Sequence, residues 1–315
     1  MTKIDKTPFT AAAIPKEVAS FTAELEATLA KLKPTYLVPV ELTRKAREEG
    51  KSIFPIGGPL PGSDWHDIPG APGGPGRVRV SSSACGATNA VFLHIHGGGW
   101  TLGAPHHYDK WCQYLAANAG CTVISIEYRL APENPWPACA DDCEAAARWA
   151  LAEYPEATFA IGGESAGAHL AAVTLGRLKA TGQLGRISGA LLHYGVFDLS
   201  MTPSMANWGD RNLILSTPIV DWFCANLAAP DPTTPDVSPL YADLTDMPAA
   251  LFQCGTADPL IDDTLFMAQR WAAAGGEAEV ELYSGAVHAF DMFETTQAAE
   301  ARAKAAAFLT GVFAP

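Results

Sequence analysis

Residues 158–179 read TFAIGGESAGAHLAAVTLGRLK, and the fold turns on them. Thr158 to Gly162 is an apolar run of strand length, and Ala166 to Lys179 is rich in Ala and Leu at helical spacing. Between them lies Gly163-Glu164-Ser165-Ala166-Gly167, a G-x-S-x-G pattern placed directly after a strand and directly before a helix. A turn that tight requires small residues on both sides of the serine, because bulk there would strike the neighbouring strands, and it leaves the hydroxyl exposed above the sheet. The serine then sits at a helix N-terminus, where free N–H groups and the positive end of the dipole favour developing negative charge. An ordinary Gly-rich turn has the same composition, so the flanking strand and helix are what give the pattern its weight.

Working outward, further apolar runs occur at Ala90 to His96, Thr122 to Glu127, Gly189 to Tyr194, Ala249 to Cys254 and Ala278 to Tyr283. Helical patterns at Asp141 to Glu153, Asp262 to Ala274 and Thr295 to Leu309 alternate with them. The alternation predicts an α/β fold, a mostly parallel sheet covered by helices on both faces. Upstream, Val18, Phe21, Leu25, Leu29 and Leu32 recur at steps of three and four, which predicts an amphipathic helix within Pro15 to Lys33. A second helix is expected from Val40 to Gly50, and the Gly- and Pro-rich stretch Gly57 to Gly76 reads as a loop. More than fifty residues separate the strand ending near Tyr194 from the one starting near Ala249. Insertions of that length are usually lids or small subdomains. The expected division is a helical segment at 1–55 and an α/β domain at 56–315, with a second covering segment at about 199–235.

A serine hydroxyl needs a base to accept its proton. Of the eight histidines, His169 lies one helical turn beyond Ser165 and is expected to pack away from the hydroxyl, while His193 falls inside an apolar strand. His94 and His96 share a strand face and, with His106 and His107, raise the question of a metal. They lack a carboxylate or thiolate at ligand spacing, so no metal is expected. His288 follows the last strand, on a loop at the sheet's C-terminal edge, and is the expected base. Asp258 follows the preceding strand and emerges on the same edge, as a partner to fix the imidazole tautomer requires. Asp262 and Asp263 compete for that role, but they fall where the next helix begins and are read as capping or dipole partners. The chain order Ser165, Asp258, His288 is that of the α/β-hydrolases. Upstream, His96-Gly97-Gly98-Gly99-Trp100 ends a strand with three consecutive glycines. Their entropic cost calls for a reason, and close approach of backbone N–H groups to an oxyanion, shared with the N–H of Ala166, is one.

Composition sets outer limits. With 34 acidic against 21 basic residues, a net charge of −13 and no basic run, the chain lacks the phosphate-binding surface that nucleic acid requires. The longest apolar stretches fall far short of the ~20 residues of a membrane span, and the opening MTKIDKTPFT has no secretory apolar core. Seven cysteines, at 85, 112, 121, 139, 143, 224 and 254, form an odd set without CxxC spacing. They read as reduced thiols in a cytoplasmic protein.

HGGGW at His96 to Trp100, YRLAPE at Tyr128 to Glu133, GESAG at Gly163 to Gly167, DPL at Asp258 to Leu260 and HAF at His288 to Phe290 together resemble the bacterial hormone-sensitive-lipase-like esterases, over about residues 90 to 290. The resemblance implies an α/β-hydrolase fold with a helical cap, a Ser165–His288–Asp258 triad, and oxyanion-hole amides at Gly98, Gly99 and Ala166. It also implies hydrolysis of small-molecule esters of short to medium acyl chain, without cofactor or metal. Glu164 departs from the Asp or Thr common in that family, and Glu133 resembles its structural acid beneath the active site. Trp208, Leu213, Ile214 and Phe223 from the insertion, with Trp100, Phe290 and Met292 near the motifs, are candidates for an apolar substrate pocket, each with core packing as its alternative. Lipase, amide or carbamate hydrolysis would use the same residues, and a ligand receptor on this fold is the reading from another class. A homodimer is compatible with the sequence.

Overall fold

The computed structural model describes residues 5–82 and 89–314, so Cys85 and the first four residues lie outside the described residues. In chain order the elements are α1 (Lys16–Leu29), α2 (Val40–Glu48), β1 (Ser63–Asp67), β2 (Arg77–Ser81), β3 (Ala90–Ile95), α3 (Asp109–Ala119), β4 (Thr122–Ile126), α4 (Ala138–Glu153), β5 (Thr158–Glu164) and α5 (Ala166–Ala180). They continue with β6 (Ile187–His193), α6 (Pro203–Ala206), α7 (Thr217–Leu227), β7 (Ala249–Gly255), α8 (Ile261–Ala273), β8 (Ala278–Tyr283) and α9 (Thr296–Phe313).

The eight strands form one sheet in the order β1-β2-β4-β3-β5-β6-β7-β8. β1 and β2 are antiparallel, β2 meets β4 antiparallel, and every remaining pair is parallel. This is an α/β-hydrolase fold. All six residues of β3 are buried, as a strand covered on both faces requires. Val91, Leu93 and Ile95 join the core beneath α4 and α5, whereas Ala90 and Phe92 join the core beneath α3 and α9, with Leu115 and Leu309. The connection from β3 leads one way to β4 and the next returns past β3 to β5, so the winding reverses between β3 and β5. Ligands on open α/β sheets bind outside the strand C-termini at such a point.

The expected six strands and the long helices are present. The expected loop between Gly57 and Gly76 instead contains β1, whose residues Ser63-Asp64-Trp65-His66-Asp67 are largely exposed. An edge strand bonds through one side only and needs no apolar run, which is why its polarity disguised it. Helix α3 was also not anticipated, because its buried stripe of Cys112, Leu115, Ala116 and Ala119 carries only one large apolar residue. The N-terminal segment and the insertion meet over the strand C-termini. Leu25 and Leu29 of α1 share a cluster with Leu213, Tyr194 and Phe290, and Arg211 pairs with Glu26 at 2.8 Å.

Candidate active site

β5 ends at Glu164 and α5 starts at Ala166, which leaves Ser165 alone to make the turn, at φ 57° and ψ −118°. A non-glycine residue in that region is strained and marks a functional constraint. The two flanking glycines follow directly from the close fit. A Cβ on Gly163 or on Gly167 would drive into the Ile95 carbonyl oxygen of the adjacent strand. The Ser165 N–H donates to the His193 carbonyl at 2.9 Å, pinning the turn to β6.

Three of the residues singled out in the sequence meet here. His288 Nε2 lies 3.0 Å from Ser165 Oγ, and His288 Nδ1 lies 2.8 Å from Asp258 Oδ2. Asp258 is fully buried and His288 nearly so. Asp258 also accepts from the Leu260 N–H at 2.9 Å, so its carboxylate is held from both sides. With Nδ1–H donated to Asp258, Nε2 presents its lone pair to the serine hydroxyl. The competitors are engaged elsewhere. Asp263 accepts from the Phe197 and Asp198 N–H groups and from the Thr202 hydroxyl, and Asp262 accepts from the Ser204 N–H. Both therefore brace the start of the insertion.

The glycine loop faces this chain. Gly98 and Gly99 have φ 127° and 58°. A Cβ on Gly98 would strike the Leu102 carbonyl, and one on Gly99 would strike the Phe223 ring. The N–H groups of Gly98, Gly99 and Ala166 donate to no partner among the described residues. Uncommitted amides of this kind are what an oxyanion requires.

A cavity of about 350 Å³ opens above Ser165. Its floor is Gly97, Gly98, Gly99, Ser165 and His288, and its walls include Leu29, Val38, Leu42, Arg47 and Phe54 from the N-terminal segment and Ile214, Leu215, Ile219 and Phe223 from the insertion. Of the candidate pocket residues, Ile214, Phe223 and Met292 line it. Trp100, Trp208, Leu213 and Phe290 do not. Trp100 is buried and donates its indole N–H to His169 Nδ1 at 3.1 Å, Leu213 and Phe290 sit in the cluster behind the wall, and Trp208 bonds the Arg211 carbonyl. Motif proximity suggested Trp100 and Phe290, and the insertion suggested Trp208 and Leu213. Trp100, Leu213 and Phe290 are buried in the core, while Trp208 is half-buried against it. The lining from α1, α2 and the segment between them lay outside any motif and was missed.

Tyr194 was missed as well. Its ring stands edge-on to His288 at 4.8 Å, and its hydroxyl donates to Asp291 at 2.5 Å. Asp291 also lies 3.1 Å from His193 Nδ1, so His193 is a core residue with a partner. Burial opposes the Asp291 anion, but His193 and Tyr194 outweigh it and hold its carboxyl below the usual range. An aromatic residue directly after a strand at the C-terminal edge was the available signal.

Glu164, the departure from the family, is 4% exposed. It accepts from the Trp111 indole at 2.8 Å and lies 3.0 Å from His94 Nε2, whose Nδ1 meets the Ser125 hydroxyl at 2.8 Å. Burial works against the His94 cation, yet Cys112 and Glu164 raise it to about 10. His169 is the reverse. Burial pushes it down to about 4, and its neutral ring donates from Nε2 to the Val237 carbonyl at 2.7 Å. Burial likewise keeps His96 neutral. Glu133 is not beneath the site. It is half exposed at the surface, where it takes a bidentate pair from Arg44 of α2 at 2.8 and 2.9 Å.

A sequence profile of the alpha/beta hydrolase fold matches residues 92–292. The chain is 33% identical over 252 residues to the carboxylic ester hydrolase LipN of Mycobacterium tuberculosis, covering 73% of this chain and 66% of that protein. It is 33% identical over 211 residues to the ethyl acetate hydrolase of Pseudomonas putida, covering 64% and 66% respectively. The chain thus spans about two thirds of the length of these curated relatives. A crystal structure of a hormone-sensitive lipase from a metagenome library superposes with a TM-score of 0.84 at 27% identity, covering 96% of this chain and all of that one. The class defined by fold and profile is the α/β-hydrolases. Within it, the chain belongs to the hormone-sensitive-lipase-like esterases.

Proposed function

We propose that the protein is a serine carboxylesterase acting on small esters of short to medium acyl chain. The observation that carries this reading is the unbroken hydrogen-bonded chain Ser165–His288–Asp258 on the floor of an apolar cavity. Ser165 Oγ attacks the ester carbonyl while His288 Nε2 takes its proton, and Asp258 stabilises the resulting imidazolium. The oxyanion is held by the N–H groups of Gly98, Gly99 and Ala166. His288 then protonates the leaving alcohol, and water, activated by the same histidine, releases the acid from the acyl-enzyme.

In this reading residues 1–55 and about 199–235 act together as a cap over the catalytic domain at 56–315. Ile214, Phe223 and Met292 contact the acyl or alcohol group. The limit on chain length is supported by the cavity's size, near the lower end for small-molecule sites, and by the relative named for ethyl acetate. No described helix is long and apolar enough to cross a membrane. The six described cysteines are free, five of them buried, which suits a reducing cytoplasm.

The test is hydrolysis of p-nitrophenyl esters from acetate to palmitate by wild type and Ser165→Ala, with labelling by a serine-directed organophosphate. The expected result is an optimum at short chains and a loss of several orders of magnitude in kcat for the variant. A folded Ser165→Ala protein retaining more than about a tenth of wild-type turnover would remove Ser165 from the mechanism, and an optimum at palmitate would overturn the chain-length assignment.

A further inference from the structure

We propose that Glu48, His106 and His107 form a binding site for a divalent transition ion of the zinc type, placed across the seam between α2 and the turn that leads into α3. The site lies outside the ester-binding cavity and does not rest on the esterase reading. Glu48 is the last residue of α2, and the two histidines occupy the 3-10 turn Pro105–Tyr108. The carboxylate reaches both rings: His106 Nε2 is 3.0 Å from Oε2, and His107 Nε2 is 2.9 Å from Oε1. One donor atom from each residue lies within 4.8 Å of the other two.

Two features distinguish this cluster from a surface ion pair. The first is that both ring nitrogens of His107 are buried and make no hydrogen bond, even though Nε2 is so close to the carboxylate. The approach has the distance of a hydrogen bond without its angle. Because Nδ1 is equally free, nothing holds the proton on Nε2, which can present its lone pair. The second is the spacing. Zinc bonds of ~2.0–2.2 Å in tetrahedral geometry place neighbouring donors ~3.4 Å apart. Here each imidazole nitrogen faces a different oxygen of the one carboxylate, at 3.0 and 2.9 Å. With one donor atom from each residue within 4.8 Å of the other two, the set can close on a single ion by side-chain rotation. Two imidazoles and a carboxylate suit zinc, nickel, cobalt or copper, not calcium or magnesium, which prefer oxygen ligands. The neighbouring Arg47 guanidinium competes for the carboxylate's field, but it rests over the Phe54 and Tyr108 rings at 5.1 and 5.9 Å. Sequence spacing hid the site, since Glu48 precedes His106 by 58 positions.

An ion held here would tie the N-terminal segment to the α/β domain. The test uses the full chain, stripped with chelator and dialysed, titrated calorimetrically with zinc chloride in a non-coordinating buffer, with melting temperature followed in parallel. One ion per chain is expected at micromolar affinity or tighter, with a rise in melting temperature. Glu48→Gln and the double variant His106→Asn, His107→Asn should each weaken binding at least tenfold, while His66→Ala, an exposed histidine on β1, should leave it unchanged. Glu48 is half exposed, so its variant folds and isolates the ligand's contribution. Cobalt in place of zinc should give visible d–d absorption in wild type and lose it in both variants. No saturable binding by wild type, or equal affinity in wild type and Glu48→Gln, would overturn the proposal.

Discussion

At the scale of single residues, the elbow shows how little freedom the fold leaves its reactive turn. Gly163 and Gly176 lie thirteen positions apart in the same stretch, and only one of them needs to be glycine. A Cβ on Gly163 would meet the Ile95 carbonyl oxygen, a backbone atom fixed by the parallel ladder between β3 and β5. A Cβ on Gly176, within α5, would meet nothing within 4 Å. Gly163→Ala is therefore expected to destabilise the protein by ~1–3 kcal/mol or more through overpacking, and to cut activity further by displacing Ser165. Gly176→Ala should stabilise by up to ~1 kcal/mol through helix propensity. Urea midpoints of the two variants, read against wild type, give opposite signs if this account is right. A neutral Gly163→Ala would mean that the strand can give way. The candidate triad was readable because each member follows a strand and so emerges on one edge. The pocket walls were not, because whether Trp100 faces substrate or His169 depends on the φ of 57° at that residue, which no spacing rule supplies.

Among the secondary-structure elements, α2 joins the N-terminal segment to the glycine loop through one side chain. Arg44 donates to the Thr101 carbonyl at 2.9 Å, to the Ala131 carbonyl at 2.8 Å and to the Glu133 carboxylate. The helix thereby presents Leu42, Ala46 and Arg47 to the cavity, but none of its residues meets the reacting atoms. Arg44→Ala is accordingly expected to raise KM several-fold with kcat little changed, as loss of uniform binding does. Glu133→Gln removes only the exposed ion pair, worth ~0–1 kcal/mol, and should stay within about twofold of wild type. Steady-state kinetics on one short ester decides this, and equal damage from the two variants would mean that Glu133 serves the site after all. Element recognition from sequence followed burial. β3, β5 and β7 are buried almost throughout and announce themselves as apolar runs, whereas β1 bonds along one edge and stays polar. The expectation of two covering segments came from the stripe of α1 and from the length of the insertion. That Arg44 and Glu48 reach across to the α/β domain depends on partners 57 or more positions away.

For the molecule as a whole, two buried histidines with opposite shifts set how stability changes with pH. His169, lowered to about 4 by burial, stays neutral in the native state, while in the unfolded chain an ordinary histidine binds a proton near 6.5. As pH falls from about 6.5 toward 4, the unfolded state takes up a proton that the native state refuses, and stability declines. His94, raised to about 10 against burial by Cys112 and Glu164, contributes its full stabilisation below about 6.5. That contribution is lost progressively as pH rises from there through 10, because the native state then holds a proton the unfolded state has released. The two windows meet near pH 6.5, where their joint contribution is greatest. Other groups titrate across the same range, so the informative quantity is the change in slope caused by one substitution. His169→Gln should flatten the melting-temperature curve between pH 6.5 and 4 and leave the alkaline side alone. Glu164→Gln keeps the shape of the side chain but removes one of the two groups that, with Cys112, sustain the His94 cation, and should partly flatten the curve between pH 6.5 and 10. Melting curves at half-unit pH steps for the three proteins make the comparison. An alkaline slope unchanged in Glu164→Gln would mean that Glu164 does not sustain the His94 cation and meets it only as a hydrogen-bond acceptor, leaving Cys112 as the group that raises it.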